Sequence, residues 1–133
     1  MDAGRRDRRH ELLTRLTAKV QADEEVLALI LFGSQARGEA GPNADVDTCL
    51  VMRADVSRAR ASEKRLDYLA NFDLDLQVFQ LLPLYIRHRV LREGKVLHCK
   101  DEDTLYELAW RTAQSWEDFK PRYQMYLEGI GGS

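Results

Sequence analysis

Six residues have the types and spacing of a site that handles phosphate: Gly33, Ser34, Arg37, Asp45, Asp47 and Asp75. The apolar run Val26 to Phe32 stops at Gly33-Ser34, and Arg37 follows in a short polar stretch. A buried strand that ends at such a turn and leads into a helix start aims backbone N–H groups outward, where they favour an anion. Gly33 permits close backbone approach, Ser34 adds a hydroxyl donor and Arg37 a fixed positive charge. Gly-Ser alone describes a plain structural turn equally well. Asp45 and Asp47 weigh against that. Two residues apart at the start of a strand, their side chains leave the same face. They repel each other unless a cation or donor lies between them, and such oxygen ligands suit Mg²⁺, which takes one or two carboxylates plus substrate phosphates. The bland alternative has one Asp capping the Gly41-Pro42-Asn43 turn and the other in water. The run Phe72-Asp73-Leu74-Asp75-Leu76-Gln77-Val78 offers a third carboxylate. Asp73 and Asp75 share one face there. Asp75, flanked by apolar residues, is costly unless paired or metal-bound. Asp73, at the strand edge, suits water, so Asp75 is taken as the third ligand with Asp73 as its competitor. A charge facing solvent on an edge strand is the plain alternative for Asp75.

Positioning these groups takes strands and helices in alternation. Leu12, Leu13, Leu16 and Val20 recur at helical spacing and predict a helix over Asp7–Ala22. Val26–Phe32 predicts a strand buried on both faces, and Val46–Met52 a second. A helix with Arg and Lys on its outer face is expected over Ala54–Ala70, and a third strand over Phe72–Leu81. Pro83 suits the first turn of a helix over Leu84–Arg92, which Gly94 ends. Val96–Cys99 predicts a short fourth strand. A last helix starts at Asp101–Asp103 and runs towards Leu127, with Pro121 expected to break or kink it. The pattern is α/β: one domain with a small, mixed sheet of about four strands flanked by helices.

The 133 residues suffice for one domain over 1–133, with its core at about 8–127. A chain with 44% apolar and 32% charged residues folds rather than staying disordered. Twenty Lys and Arg against 22 Asp and Glu give a net charge of −2, without the positive excess of a non-specific nucleic-acid binder. Arg5–Arg9 and Arg58, Arg60 and Arg65 interleave with Asp7, Glu11, Glu63 and Asp67, the mark of a solvated helix face. No direct nucleic-acid binding is expected. Cys49 and Cys99 form no CxxC pair, and His10, His88 and His98 have no zinc spacing. Reduced thiols fit a cytoplasmic location. No apolar run nears the length of a membrane span, and no apolar core follows the charged N-terminus, so neither membrane insertion nor a secretory signal is expected. Asp101, Glu102 and Asp103 suit a helix start. Trp110, Trp116, Phe119, Tyr123 and Tyr126 read as a core-facing stripe, part of it available for docking a partner.

Taken together, Gly33-Ser34, ten intervening residues and Asp45-Val46-Asp47 resemble the DNA polymerase β-type nucleotidyltransferase superfamily, specifically its minimal (MNT) branch. Arg37-Gly38 falls where that family often has Arg-Gly, and Leu74-Asp75-Leu76 matches the context of its third Asp. Leu82-Pro83 and the segment Arg89–Leu97 also look like MNT antitoxins of HEPN–MNT toxin–antitoxin pairs. Ala44 departs from the Ser that many relatives carry before the first Asp; that Ser is no metal ligand, so the departure touches only a hydrogen bond orienting Asp45.

The resemblance implies a polymerase β-like palm domain and an enzyme that moves AMP from ATP to a hydroxyl, releasing pyrophosphate. It places Gly33, Ser34 and Arg37 on the triphosphate. Asp45 and Asp47 would hold one Mg²⁺, and Asp45, Asp47 and Asp75 a second. The acceptor it implies is a tyrosine of a HEPN-type ribonuclease toxin, silenced by AMPylation, with the chain acting as antitoxin in a hetero-oligomer. At this size no added domain is expected to complete an acceptor pocket, and a partner is expected to supply the second wall. Two alternatives stand beside this: an antibiotic-type transferase acting on a small molecule, and a catalytically silent antitoxin that neutralises its partner by binding alone.

Overall fold

The computed structural model describes residues 2–33 and 47–131, with side chains described for 8–33 and 47–129. Ser34, Arg37 and Asp45 lie outside the described residues. The elements, in chain order, are α1 (Asp2–Ala22), β1 (Val26–Phe32), β2 (Asp47–Met52), α2 (Arg58–Asn71), β3 (Asp75–Val78), α3 (Leu84–Glu93), β4 (Lys95–Cys99) and α4 (Glu102–Gly131), with a 3₁₀ turn at Phe79–Leu81.

The four strands form one mixed sheet in the order β3-β2-β1-β4. β1 runs antiparallel to β2 and to β4, and β2 runs parallel to β3. The VLALILF run of β1 is apolar throughout because it is flanked by a strand on each side and covered on both faces. On one face Leu16 and Val20 of α1 and Ala61 and Tyr68 of α2 pack against Val26, Leu29, Leu50, Leu76 and Val78. On the other, Leu27, Ile30, Cys49 and Val51 pack with Val90 of α3 and with Leu105 and Leu108 of α4. A bulge between Val26 and Ala28 interrupts the alternation, so the consecutive Leu27 and Ala28 both serve the α3/α4 side.

Three expectations change. The third strand is four residues long rather than Phe72–Leu81. Phe72 turns into the α1/α2 core, its N–H capping α2 on the Tyr68 carbonyl, and the chain after Val78 closes into the 3₁₀ turn. The last helix is not broken at Pro121, the first of the two outcomes expected there, and runs on to Gly131. The aromatic stripe is not core: Trp116 and Tyr123 are half-buried, whereas Trp110, Phe119 and Tyr126 are exposed.

The basic residues of α2 are tied to neighbours. Arg60 bonds Glu25 and Glu63, Arg65 donates to the Leu76 carbonyl and Arg58 to the Gln80 carbonyl. Lys64 turns inward, 2.8 Å from Asp23, and the Tyr68 hydroxyl donates to the same carboxylate at 2.9 Å. Burial works against the charged Asp23, but these hydrogen bonds outweigh it and hold its carboxyl below the usual range. The cations therefore fasten α2 to the β1 and β3 sides of the fold. Helix α4 starts as expected, with the Asp101 carboxylate accepting from the Thr104 N–H and hydroxyl.

Candidate active site

Three of the six residues singled out in the sequence converge at one end of the sheet. β1 ends at Phe32, whose antiparallel register partner is Asp47, the first residue of β2. Asp47 in turn is the parallel register partner of Asp75, the first residue of β3. Two carboxylates thus begin two adjacent strands, about 4.8 Å apart in the hydrogen-bonding direction. They share a face. Asp47 alternates with Cys49 and Val51, which pack on the α3/α4 side, while Leu76 and Val78 on β3 face the opposite core and leave Asp75 and Gln77 on the side of Asp47. Asp47 is half-buried and Asp75 exposed.

Gly33 closes this corner. Its φ is +77°, a backbone conformation that side chains disfavour. A Cβ built on it would stand 2.5 Å from Asp47 Oδ2. Glycine is therefore required twice, for the turn out of β1 and for the space the Asp47 carboxylate occupies.

Two further groups fix Asp75, and the sequence pattern did not single them out. Thr48, fully buried, donates its hydroxyl to the Asp75 carbonyl at 3.1 Å. This ties β3 to β2 beside the carboxylates. Gln77 Nε2 donates to Asp75 Oδ1 at 3.2 Å. The available signals were a lone hydroxyl inside the apolar β2 run and a polar residue two positions beyond Asp75. Asp73, the competitor, precedes β3, is exposed and has no register partner in the sheet. Of the two, it is Asp75 that the sheet brings beside Asp47.

Cys49 lies one alternation inward from Asp47, fully buried, with its thiol pushed up to about 12 by burial. It is packing, not a nucleophile. Among the described residues no three His, Cys, Asp or Glu side chains are grouped to hold a metal ion; the third carboxylate of the motif, Asp45, is not among them. No helix among the described residues is long and apolar enough to cross a membrane.

Comparison with known proteins gives the chain's family and fold. The family described as "Polymerase beta, Nucleotidyltransferase" matches residues 14–103, a span that holds all six motif residues. A Methanocaldococcus jannaschii protein named "Putative protein adenylyltransferase MJ1547" is 34% identical over 98 residues, covering 74% of this chain and 75% of its own. Among solved structures, a chain of a toxin–antitoxin complex crystallised with AMP-PNP superposes with a TM-score of 0.67 at 18% identity, covering 90% of this chain and 96% of that one. A chain from the complex of tri-AMPylated Shewanella oneidensis HEPN toxin with MNT antitoxin superposes with a TM-score of 0.59 at 16% identity, covering 98% of both. At these identities the structural matches carry the fold, whereas the family match and the archaeal relative carry membership. The chain belongs to the polymerase β-type nucleotidyltransferase family and is a nucleotidyltransferase.

Proposed function

We propose that this chain transfers AMP from ATP to a tyrosine hydroxyl of a HEPN-type toxin and acts as its antitoxin. One observation carries the reading: Asp47 and Asp75 stand side by side at the starts of β2 and β3, with Gly33 leaving room for the Asp47 carboxylate. The acceptor class is supported by names. The archaeal relative is called a protein adenylyltransferase, and one structural neighbour is a complex that holds an AMPylated HEPN toxin.

The donor set suits Mg²⁺. It is all carboxylate oxygen on one sheet face, and the family motif adds Asp45 two residues before Asp47. Asp45 and Asp47 would hold the ion that meets the triphosphate, and Asp75 would join them for a second. Bound there, the ions would screen the triphosphate charge and lower the pKa of the acceptor hydroxyl. The remaining steps belong to the chain's own residues. Gly33 and Ser34 present backbone and hydroxyl donors to the phosphates, and Arg37 offsets their charge. The acceptor oxygen forms its bond to the α-phosphorus as the bond to pyrophosphate breaks, and the Asp75 carboxylate takes the hydroxyl proton. Thr48 and Gln77 keep Asp75 in position while this happens.

The test is transfer of label from α-labelled ATP with Mg²⁺ to a purified HEPN-type protein from the same genome. Label on a tyrosine of that protein is expected, lost with Asp47→Asn and with Asp75→Asn and kept with Asp73→Asn. Label recovered only on a small molecule would move the acceptor to the antibiotic type. Neutralisation of the toxin by Asp47→Asn, with no label transferred, would leave an antitoxin that works by binding alone.

A further inference from the structure

Helix α4 carries more apolar surface than this chain covers. Its inward positions recur in steps of three and four residues, the spacing of a helix–helix seam. Leu105, Leu108 and Thr112 meet the core. Trp116 then stacks on His88 of α3 at 4.9 Å, and Tyr123 on Tyr85 at 5.9 Å. Tyr85 is the second residue of α3, so the covering helix ends there. The seam does not. Tyr126 and Leu127 continue it at 65% and 47% exposure, and Phe119 between the two stacks is 38% exposed.

The flanks of this seam are basic. The groove between α3 and α4, about 560 Å³, carries Arg89, Arg92 and Lys120 on its rim against the single carboxylate of Glu117. Arg89 reaches Glu93 only at 3.8 Å, and among the described residues Arg92 and Lys120 make no ion pair. At roughly 100° per residue, Lys120 and Arg122 border the seam on opposite sides, while Asp118 and Glu128 lie well away from it. On a chain whose net charge is −2 this is a local positive excess.

We infer that the uncovered end of α4, with the groove beside it, docks an amphipathic helix of the partner, one with apolar inward residues and acidic flanks. The inference rests on the proposed HEPN-type partner and says where that protein is held. A second copy of the chain fits poorly, because an antiparallel pair of these seams would set Lys120 and Arg122 against their own copies. Single-stranded RNA also fits poorly. Its bases need free ring faces, yet Tyr85 and Tyr123, and His88 and Trp116, stack on each other, and the surface runs on into aliphatic Leu127.

The experiment titrates the full chain against the purified HEPN-type protein and compares wild type, Tyr126→Ala/Leu127→Ala and Lys120→Glu/Arg122→Glu. Leu66→Ala, equally exposed on α2, serves as the control. Each double variant is expected to weaken binding by about 30-fold or more, as for a docking hot spot, and to raise the KM for the partner while kcat at saturation holds. The control is expected to bind as wild type does. If wild type binds and both variants bind equally well, the docking site is wrong and the partner reading stands. If wild type does not bind the HEPN-type protein at all, both fall together. A wild-type dimer in light scattering that Tyr126→Ala/Leu127→Ala abolishes would assign the surface to a second copy. Binding of a 20-nucleotide RNA probe that the Lys120→Glu/Arg122→Glu variant loses would assign it to nucleic acid, and either result overturns the proposal.

Discussion

Replacing Gly33 by alanine should separate the stability of this fold from the geometry of its carboxylates. Two effects add. A side chain at φ +77° strains the backbone by about 1–2 kcal/mol. The new Cβ also stands 2.5 Å from Asp47 Oδ2, so the carboxylate must retreat by about 0.9 Å to reach an ordinary 3.4 Å contact. The carboxylate can move, which limits the further loss of stability. With the usual unfolding entropy per residue, a loss of about 1–2 kcal/mol lowers the Tm of a chain this long by about 4–7 °C. The catalytic consequence is larger, because a displacement of about 1 Å at a reacting centre costs on the order of 10²-fold in rate. Calorimetry and AMP transfer, measured on the same preparation well below the Tm, test both halves. Gly94→Ala is the comparison. Gly94 has an ordinary backbone, and its added Cβ would strike the Val90 carbonyl and stand 2.5 Å from Ile30 Cγ2. It should lose stability by about 1–3 kcal/mol through overpacking, with transfer per folded molecule near wild type. A Gly33→Ala protein that melts several degrees lower and still transfers AMP at the wild-type rate would refute the claim that Asp47 needs the space Gly33 leaves. An unchanged Tm would refute the strain.

Three further outcomes follow from the same contacts. Thr48→Val keeps the shape of a buried side chain and removes the hydroxyl that meets the Asp75 carbonyl, so urea unfolding should show a loss of about 1 kcal/mol, with a fall in transfer that tracks the loosened β3. Asp23 and Glu25 have carboxyls lowered in the folded state, Glu25 to about 2 through its hydrogen bonds from Arg60 and Lys64, so the unfolded chain binds more protons in acid. Their contribution is complete above their ordinary values of 3.8 and 4.5 and is lost as pH falls towards 2. Urea midpoints measured from pH 6 down to pH 2.5 should therefore drop less steeply for Asp23→Asn than for wild type. In the native protein at pH 8 a thiol reagent should titrate half-buried Cys99 first, with Cys49 reacting only on unfolding; equal rates would contradict the burial of Cys49.

The carboxylate motif could be read residue by residue because its chemistry lies in type and spacing, and these survive without knowledge of the fold. Asp47 beside Asp75 is a different kind of fact. It needs β2 and β3 to be neighbours and parallel, and periodicity carries no information on strand order. The helices were predicted within a few residues, except α1, which starts at Asp2 rather than Asp7. There the charged first turns lack apolar residues that would mark a buried face. The third strand was overextended for a related cause. Phe72 fits the alternation of Leu74, Leu76 and Val78, and Phe79 extends the apolar run, yet both are buried outside the strand, one as a helix cap and one in a 3₁₀ turn. Burial and strand pairing leave the same trace in sequence.

Helix α4 shows where that ambiguity matters for function. Its aromatic spacing predicts a face that wants cover, and the chain supplies cover only as far as α3 reaches. A ten-residue helix lies along part of a thirty-residue one, so the last turns keep the pattern of a core without a core beneath them. Pro121 does not end the helix because its ring removes one hydrogen bond, while the turns on either side remain closed. On the docking proposed above, these exposed turns, still apolar along the same line, keep their shape for the partner helix. The carboxylates sit at the starts of paired strands, where the sheet fixes them. On that proposal, the means of bringing an acceptor to them lies on the last turns of α4, which run on past the cover that α3 gives.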